Sequence, residues 1–229
     1  MLDQKKHRKI LFEIIKEIYD SPIAAWLGFK GGTMLYFFYG LDRFSVDLDF
    51  DLLNAERTPE VFAEVKNILK KYGTIEDAMN KNFTLLFELR YETGQQSVKI
   101  EINKRITKTN SYETRNFYGT EVKVLLIADS FAHKLIAAMN RKAVANRDFY
   151  DIWFLFKRGF IPNEKVIQEI SGKNSREYCA DLAIFIEKNF SKSNPLAGLG
   201  ELVDEKQKSW IKEFLKRELR AQINFFIKN

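Results

Sequence analysis

Residues 45–53 read SVDLDFDLL, so Asp47, Asp49 and Asp51 alternate with Val46, Leu48 and Phe50. Alternation of this kind predicts a strand with one acidic and one apolar face. The carboxylates of Asp47 and Asp49 then leave the same face, roughly 6–7 Å apart at the backbone. Two such charges about 6 Å apart repel by roughly 3 kcal/mol at an effective dielectric of ~20. A pair of divalent cations reverses the sign of that interaction, because hard ions take carboxylate oxygens. Without cations the same pattern describes an edge strand with its acids in water, and the upstream residues bear on the choice. Gly31-Gly32-Thr33 stands where a turn feeds a helix, with Thr33 fourteen residues before Asp47. Glycines let the backbone approach a phosphate, a helix N-terminus offers free N–H groups, and Thr33 adds a hydroxyl. A phosphate cradle and a metal platform one short helix apart suit phosphoryl transfer.

A third acid is expected from a neighbouring strand. In VKIEIN, Glu101 points with Lys99 and Asn103 away from Val98, Ile100 and Ile102. It is the candidate to complete the metal set and to accept the proton of an attacking hydroxyl, with Glu88 as the alternative. Further on, Lys134 and Arg141 share a helix face, and Arg147, Asp148 and Asp151 open the next helix. These cations suit triphosphate oxygens, and the acids would orient them or meet the ribose. Arg43, just before the acidic strand, is a further candidate phosphate contact. Other chemistries fail on counting. His7 and His133 have no metal-ligand spacing with the single Cys179, and no nucleophile elbow, P-loop or dinucleotide-binding turn is present.

The elements that must position these residues divide into two halves. Residues 5–20 predict an amphipathic helix, 33–39 a short buried helix, and 59–72 another helix. Strands are expected over 83–91, 97–103 and 121–127, with a hairpin through Gly94. From Asp129 onward the pattern is helical, over about 129–141, 146–158, 163–171, 175–190 and 203–228, with a loop SKSNPLAGLG. The expected fold class is α+β, with an α/β core over 1–125 and an all-helical domain over 126–229. The stripe Trp210, Ile211, Phe214, Leu215 and Leu219 in the last helix reads as core.

The chain of 229 residues is 45% hydrophobic and 30% charged, an ordinary globular balance that excludes wholesale disorder. One cysteine excludes an internal disulfide framework and points to a reducing compartment; Cys179 reads as a small buried hydrophobe. No apolar stretch approaches the roughly 20 residues of a membrane span, and the N-terminus lacks a secretion signal's apolar core. The expected location is cytoplasmic, without membrane association. The net charge of +6 favours an anionic partner such as nucleotide or RNA.

GFKGGTMLYFFYG followed by DRFSVDLDF resembles the AbiEii/AbiGii toxin family of the nucleotidyltransferase superfamily. That family has a GG[ST] turn, an R-[FY]-S-x-D-[LI]-D-[FL] strand and a later K…R…RD-x-YD helix pair, here Lys134…Arg141…Arg147-Asp148-Phe149-Tyr150-Asp151. The resemblance implies a polymerase-β-like nucleotidyltransferase core with a mixed sheet and an appended helical domain. It implies transfer of a nucleoside monophosphate from an NTP to an acceptor, with some members modifying the 3′ end of tRNA. Members often act as toxins in toxin–antitoxin or phage-defence systems, so a cognate antitoxin is an expected partner. By position, Gly32 and Thr33 would hold the triphosphate and Lys134 would contact phosphate; the reading of the residues themselves adds Gly31, Arg43, Arg141 and Asp151 to the nucleotide set. Asp47, Asp49 and Glu101 would hold two Mg²⁺ ions, with Mn²⁺ as a substitute, and Asp148 matches the last acidic motif. Val46 departs from a position that is often acidic.

The expected acceptor is tRNA or another RNA. Lys99, Lys104, Arg105, Lys108 and Arg115, interleaved with Tyr112 and Phe117, offer cations and stacking surfaces for its backbone and bases. A protein hydroxyl is the alternative acceptor. The rival classes are a module that binds nucleotide or antitoxin without turnover, and a metal-dependent phosphodiesterase.

Overall fold

The computed structural model describes residues 2–94, 96–141, 145–190 and 194–229. They form two compact units, Met1–Gly40 with Phe44–Ile106 and Tyr112–Leu125, and Leu41–Arg43 with Thr107–Ser111 and Leu126–Asn229. The hairpin expected through Gly94 includes Gln95, and the expected loop SKSNPLAGLG includes residues 191–193. Both lie outside the described residues.

The first unit is a mixed sheet with helices. Helix α1 (Gln4–Tyr19) opens on Asp3, whose carboxylate accepts from the amides of Lys5 and Lys6. Strand β1 (Leu27–Lys30) leads into α2 (Gly31–Tyr39), which returns to β2 (Leu48–Leu52). After α3 (Thr58–Leu69) come β3 (Thr74–Asn80), β4 (Thr84–Arg90), β5 (Val98–Asn103), β6 (Tyr112–Phe117) and β7 (Thr120–Leu125). The seven described strands lie in the order β3-β4-β5-β2-β1-β7-β6. The β2–β5 and β1–β7 pairs are parallel and the others antiparallel.

Alternation sorts the two faces of the sheet. Leu48, Phe50, Leu85, Phe87, Ile100 and Ile102 are buried, and α1 and α3 bring Leu11, Ile14, Ile18, Val61, Val65 and Leu69 into the same core. The polar residues of β2, β4 and β5 take the other face. Burying an apolar side chain of this size stabilises by about 1.5–3 kcal/mol. Strands β1, β3 and β6 were not expected from the pattern. Strands β3 and β6 are the two edges of the sheet, where partial burial leaves little apolar alternation to read. Strand β1 has four residues, too few to show a period.

A buried histidine fixes the chain immediately before Asp47. His7 is fully buried; its Nε2 lies 2.9 Å from the Val46 carbonyl and its Nδ1 3.0 Å from the Tyr91 hydroxyl. These partners assign the hydrogen to Nε2, which donates to the carbonyl, while Tyr91 donates to Nδ1. Burial lowers the pKa of His7, and the bond to Val46 offsets part of that effect. The unfolded chain therefore takes up the proton first as the pH falls, so stability is complete above about pH 6.5 and declines below it. The melting temperature should fall from pH 7.5 to pH 5.5, and His7→Gln should flatten that part of the profile. An equally steep decline in the variant would assign the effect to other groups.

The second unit is built from α4 (Ile127–Asn140), α5 (Asn146–Lys157), α6 (Glu164–Ser171), α7 (Ser175–Asn189) and α8 (Glu205–Lys228). Its core includes Phe131, Phe149, Leu155, Leu182 and Leu215, and Trp210 packs on Trp153 with ring centroids 4.3 Å apart. The α8 stripe is therefore core. Cys179 is buried there, and burial pushes its thiol up to about 12, which keeps it protonated and inert. Two short segments expected in the first domain group with these helices. Asp129 accepts from the amide of Ser111 at 2.6 Å, Glu169 accepts from those of Lys108 and Thr109 at 2.8 and 2.9 Å, and Tyr150 donates to Asp42 at 2.9 Å. No described helix is long and apolar enough to cross a membrane.

Candidate nucleotidyl-transfer site

The ladder places the acids of the first unit side by side. Asp49 of β2 lies opposite Glu101 of parallel β5 and opposite Lys30 of antiparallel β1. Adjacent strands are about 4.8 Å apart, so Asp49 and Glu101 share one patch of the open face. Asp47 and Asp49 are half-buried and Glu101 is exposed. Glu88 lies one strand further out, opposite Lys99, while Leu86 is the residue facing Glu101. The register thus puts Glu101 beside Asp49, and Glu88 away from it.

The Gly-Gly-Thr turn abuts this patch. Gly31 has φ +83°, a conformation that favours glycine, and a Cβ there would collide with the Asp49 carboxylate. Glycine lets the start of α2 and Asp49 come together. The first turn of α2 has no side-chain cap and no acidic residue, so its N–H groups are disposed toward an anion. Thr33 is used differently from the expectation. It is fully buried at the third position of α2, and its hydroxyl donates to the Asp47 carbonyl. Thr33 therefore holds the backbone under Asp47, and its hydroxyl is turned away from the mouth of the turn.

Asp51, the third acid of the alternation, has a separate task. It is buried, and its oxygens accept from Lys30 Nζ at 2.6 Å, Asn103 Nδ2 at 3.0 Å and the Tyr112 hydroxyl at 2.8 Å. The Tyr112 ring covers Gly28, where a Cβ would strike it. Asp51 so ties β2 to β1, β5 and β6, and draws the Lys30 ammonium to itself. The sequence signal for this role was the unbroken D-x-D-x-D period; its partners lie on distant strands.

The remaining expected site residues belong to the second unit and form a charge cluster there. Arg43 is buried, with Nε 2.6 Å and Nη2 2.7 Å from the two oxygens of Asp151. Lys134 Nζ is 2.7 Å from Asp151 and 3.7 Å from Asp148, and Arg141 Nε is 2.9 Å from Asp148. Burial would raise the Asp151 carboxyl, but the Arg43 and Lys134 charges outweigh it and hold the group below its usual range. Among the described residues neither oxygen of buried Asp148 has an aligned hydrogen-bond donor, so its attraction to Arg141 is by charge. Arg43, expected on phosphate, is thus enclosed in a bidentate pair.

The basic-aromatic stretch expected to receive RNA is dispersed. Phe117 is core, Tyr112 is bound to Asp51, Arg115 pairs with Glu113 at 2.7 Å, and Lys108 stands in the second unit. Lys99 is exposed on the open face, and Arg105 lies 5.6 Å over the exposed ring of Phe83.

The mixed sheet, the glycine turn at a helix start and the paired acids are those of the nucleotidyltransferase fold. The family model described as the nucleotidyl transferase AbiEii toxin of type IV toxin–antitoxin systems matches residues 13–229, and the chain belongs to that family. A crystal structure of a protein from H. pylori described as a nucleotidyltransferase is similar at TM-score 0.67 and 24% identity, covering 100% of this chain and 96% of that one. JHP933 from Helicobacter pylori is similar at TM-score 0.65 and 22% identity, covering 100% and 94%. An antigenic nucleotidyltransferase-like protein from Paracoccidioides brasiliensis reaches TM-score 0.50 at 15% identity, covering 90% and 97%. At these identities the likeness concerns the fold. No curated protein matches the sequence.

Proposed function

We propose that this member of the family transfers a nucleoside monophosphate from an NTP to an acceptor hydroxyl, with RNA as the acceptor. The observation that carries the reading is the Asp49 carboxylate packed against Gly31 at the uncapped start of α2, with Glu101 opposite it in the ladder and Asp47 just ahead of the strand. Among the described residues no three His, Cys, Asp or Glu side chains form a ready-made metal site. Mg²⁺ binds through one or two carboxylates and completes its shell with water and substrate phosphate oxygens. Asp47, Asp49 and Glu101 supply hard oxygen donors, and would hold Mg²⁺ or Mn²⁺. The bound cation would neutralise charge on the phosphates as it moves toward the leaving group.

The chain's own groups position the reactants. The amides of Gly31, Gly32 and Thr33 would receive triphosphate oxygens, favoured by the positive end of α2. Thr33 and His7 hold the backbone at 46 and 47, and Asp51 holds Lys30, so the carboxylates meet the substrate already placed. Glu101 would accept the proton of the acceptor hydroxyl. The oxygen attacks the α-phosphorus in line, its new P–O bond forms as the bond to the bridging oxygen breaks, and pyrophosphate leaves with the electron pair. The cluster of Arg43, Lys134, Arg141, Asp148 and Asp151 has a structural part in this scheme. A cognate antitoxin would restrain the activity in the cell.

The test is incubation with each α-labelled NTP, Mg²⁺ and total RNA, followed by a denaturing gel. The expected result is label on RNA that ribonuclease removes. A labelled protein band would move the acceptor to a protein hydroxyl. Absence of both label and pyrophosphate release with every NTP would leave a nucleotide-binding module.

A further inference from the structure

Helix α8 carries seven Lys and Arg against three Glu, a surplus of four within the chain's +6. One of its faces lines a cavity of about 670 Å³ in the second unit, through Lys212, Lys216, Arg217 and Arg220. Glu213 of the same helix, Glu187 near the end of α7 and Phe190 just beyond that helix also line it, leaving the cations in excess by two. Glu187 pairs with Lys216 Nζ and with Arg220 Nη1, each at 3.0 Å. Lys212 and Arg217 are exposed, and the Arg217 guanidinium lies 4.9 Å over the Phe214 ring.

Lys212, Lys216 and Arg220 are spaced by four residues and extend along roughly 12 Å of helix axis at ~1.5 Å per residue. A single small anion is best held by cations converging on one point, whereas a row suits a strand with regularly repeated phosphates. We propose that this groove binds the phosphodiester backbone of single-stranded RNA, with the exposed Lys212 and Arg217 meeting its phosphates and Lys216 and Arg220 adding charge. The inference rests on the proposed function in its choice of RNA, and it locates on α8 the contact that the dispersed stretch 99–117 does not assemble.

The test is fluorescence anisotropy of a labelled 12-nucleotide RNA of mixed sequence with the full chain, without NTP or metal, over a series of salt concentrations. Lys212→Gln/Arg217→Gln should bind about tenfold more weakly, with a log–log salt slope shallower by about 1.4, since each lost contact removes ~0.7. Both side chains are exposed, so an unchanged melting curve accompanies this result. Affinity and slope equal to wild type in the double variant would overturn the proposal, as would complete displacement of the RNA by an equal phosphate concentration of pyrophosphate. Because the assay contains no nucleotide substrate, its failure is distinct from a failure of label transfer.

Discussion

Asp49→Asn should reduce nucleotide transfer by about 10³-fold or more, equivalent to ~4 kcal/mol of transition-state stabilisation. Asparagine keeps the size and one oxygen but loses the charge that a divalent cation and a displaced pyrophosphate require. The fold should be unharmed. Asp49 and Glu101 face each other across neighbouring strands, and two charges about 5 Å apart at a dielectric of ~20 repel by roughly 3 kcal/mol. Removing one should leave the melting temperature unchanged or raise it, the pattern of a site kept for function at some cost to stability. Asp47→Asn should behave in the same way. Full transfer of α-labelled nucleotide in either variant would remove these acids from the mechanism, whereas an inactive variant that has also unfolded would leave Asp47 and Asp49 as structural.

Arg43→Met should have the largest effect on stability, about 3–5 kcal/mol, because it leaves the Asp151 carboxylate buried beside a lost partner. Lys134, 2.7 Å from Asp151, limits the damage without replacing a bidentate pair. The double variant Arg43→Met/Asp151→Leu should recover much of the loss, since it removes the stranded charge as well. Urea unfolding measures both. A loss under about 1 kcal/mol in the single variant, the range of an exposed pair, would contradict the buried geometry. A phosphate-binding Arg43 would instead show normal stability and a raised KM for NTP.

The two results separate what could be read from the chain from what could not. The faces of Asp49 and Glu101 were legible because strand parity is local: each stands in an alternating run that shows which face it takes, whereas Asp47, expected in the same strand, precedes it. The adjacency of Asp49 and Glu101 was not, because parallel pairing of β2 with β5 depends on everything folded between them. Asp51 stood in the same run, yet its anchoring role depends on Lys30, Asn103 and Tyr112, which lie 21, 52 and 61 residues away. Arg43 and Asp151 are 108 residues apart, and no spacing rule links them. The edge strands β3 and β6 escaped for a different reason, since their half-solvated faces carry charges that blur the period. Thr33 shows the limit of a motif: the residue type was informative, but its hydroxyl turned inward to the Asp47 carbonyl.

The proposed transfer requires Asp47 and Asp49 to ligate divalent cations jointly at the start of α2. Crystals grown with Mn²⁺ and a non-hydrolysable NTP, measured at the manganese edge, address it most directly. Anomalous peaks are expected within about 2.3 Å of both carboxylates, with the triphosphate against the amides of Gly31, Gly32 and Thr33. Nucleotide bound elsewhere, with Asp47 and Asp49 contacting neither cation nor phosphate, would contradict it.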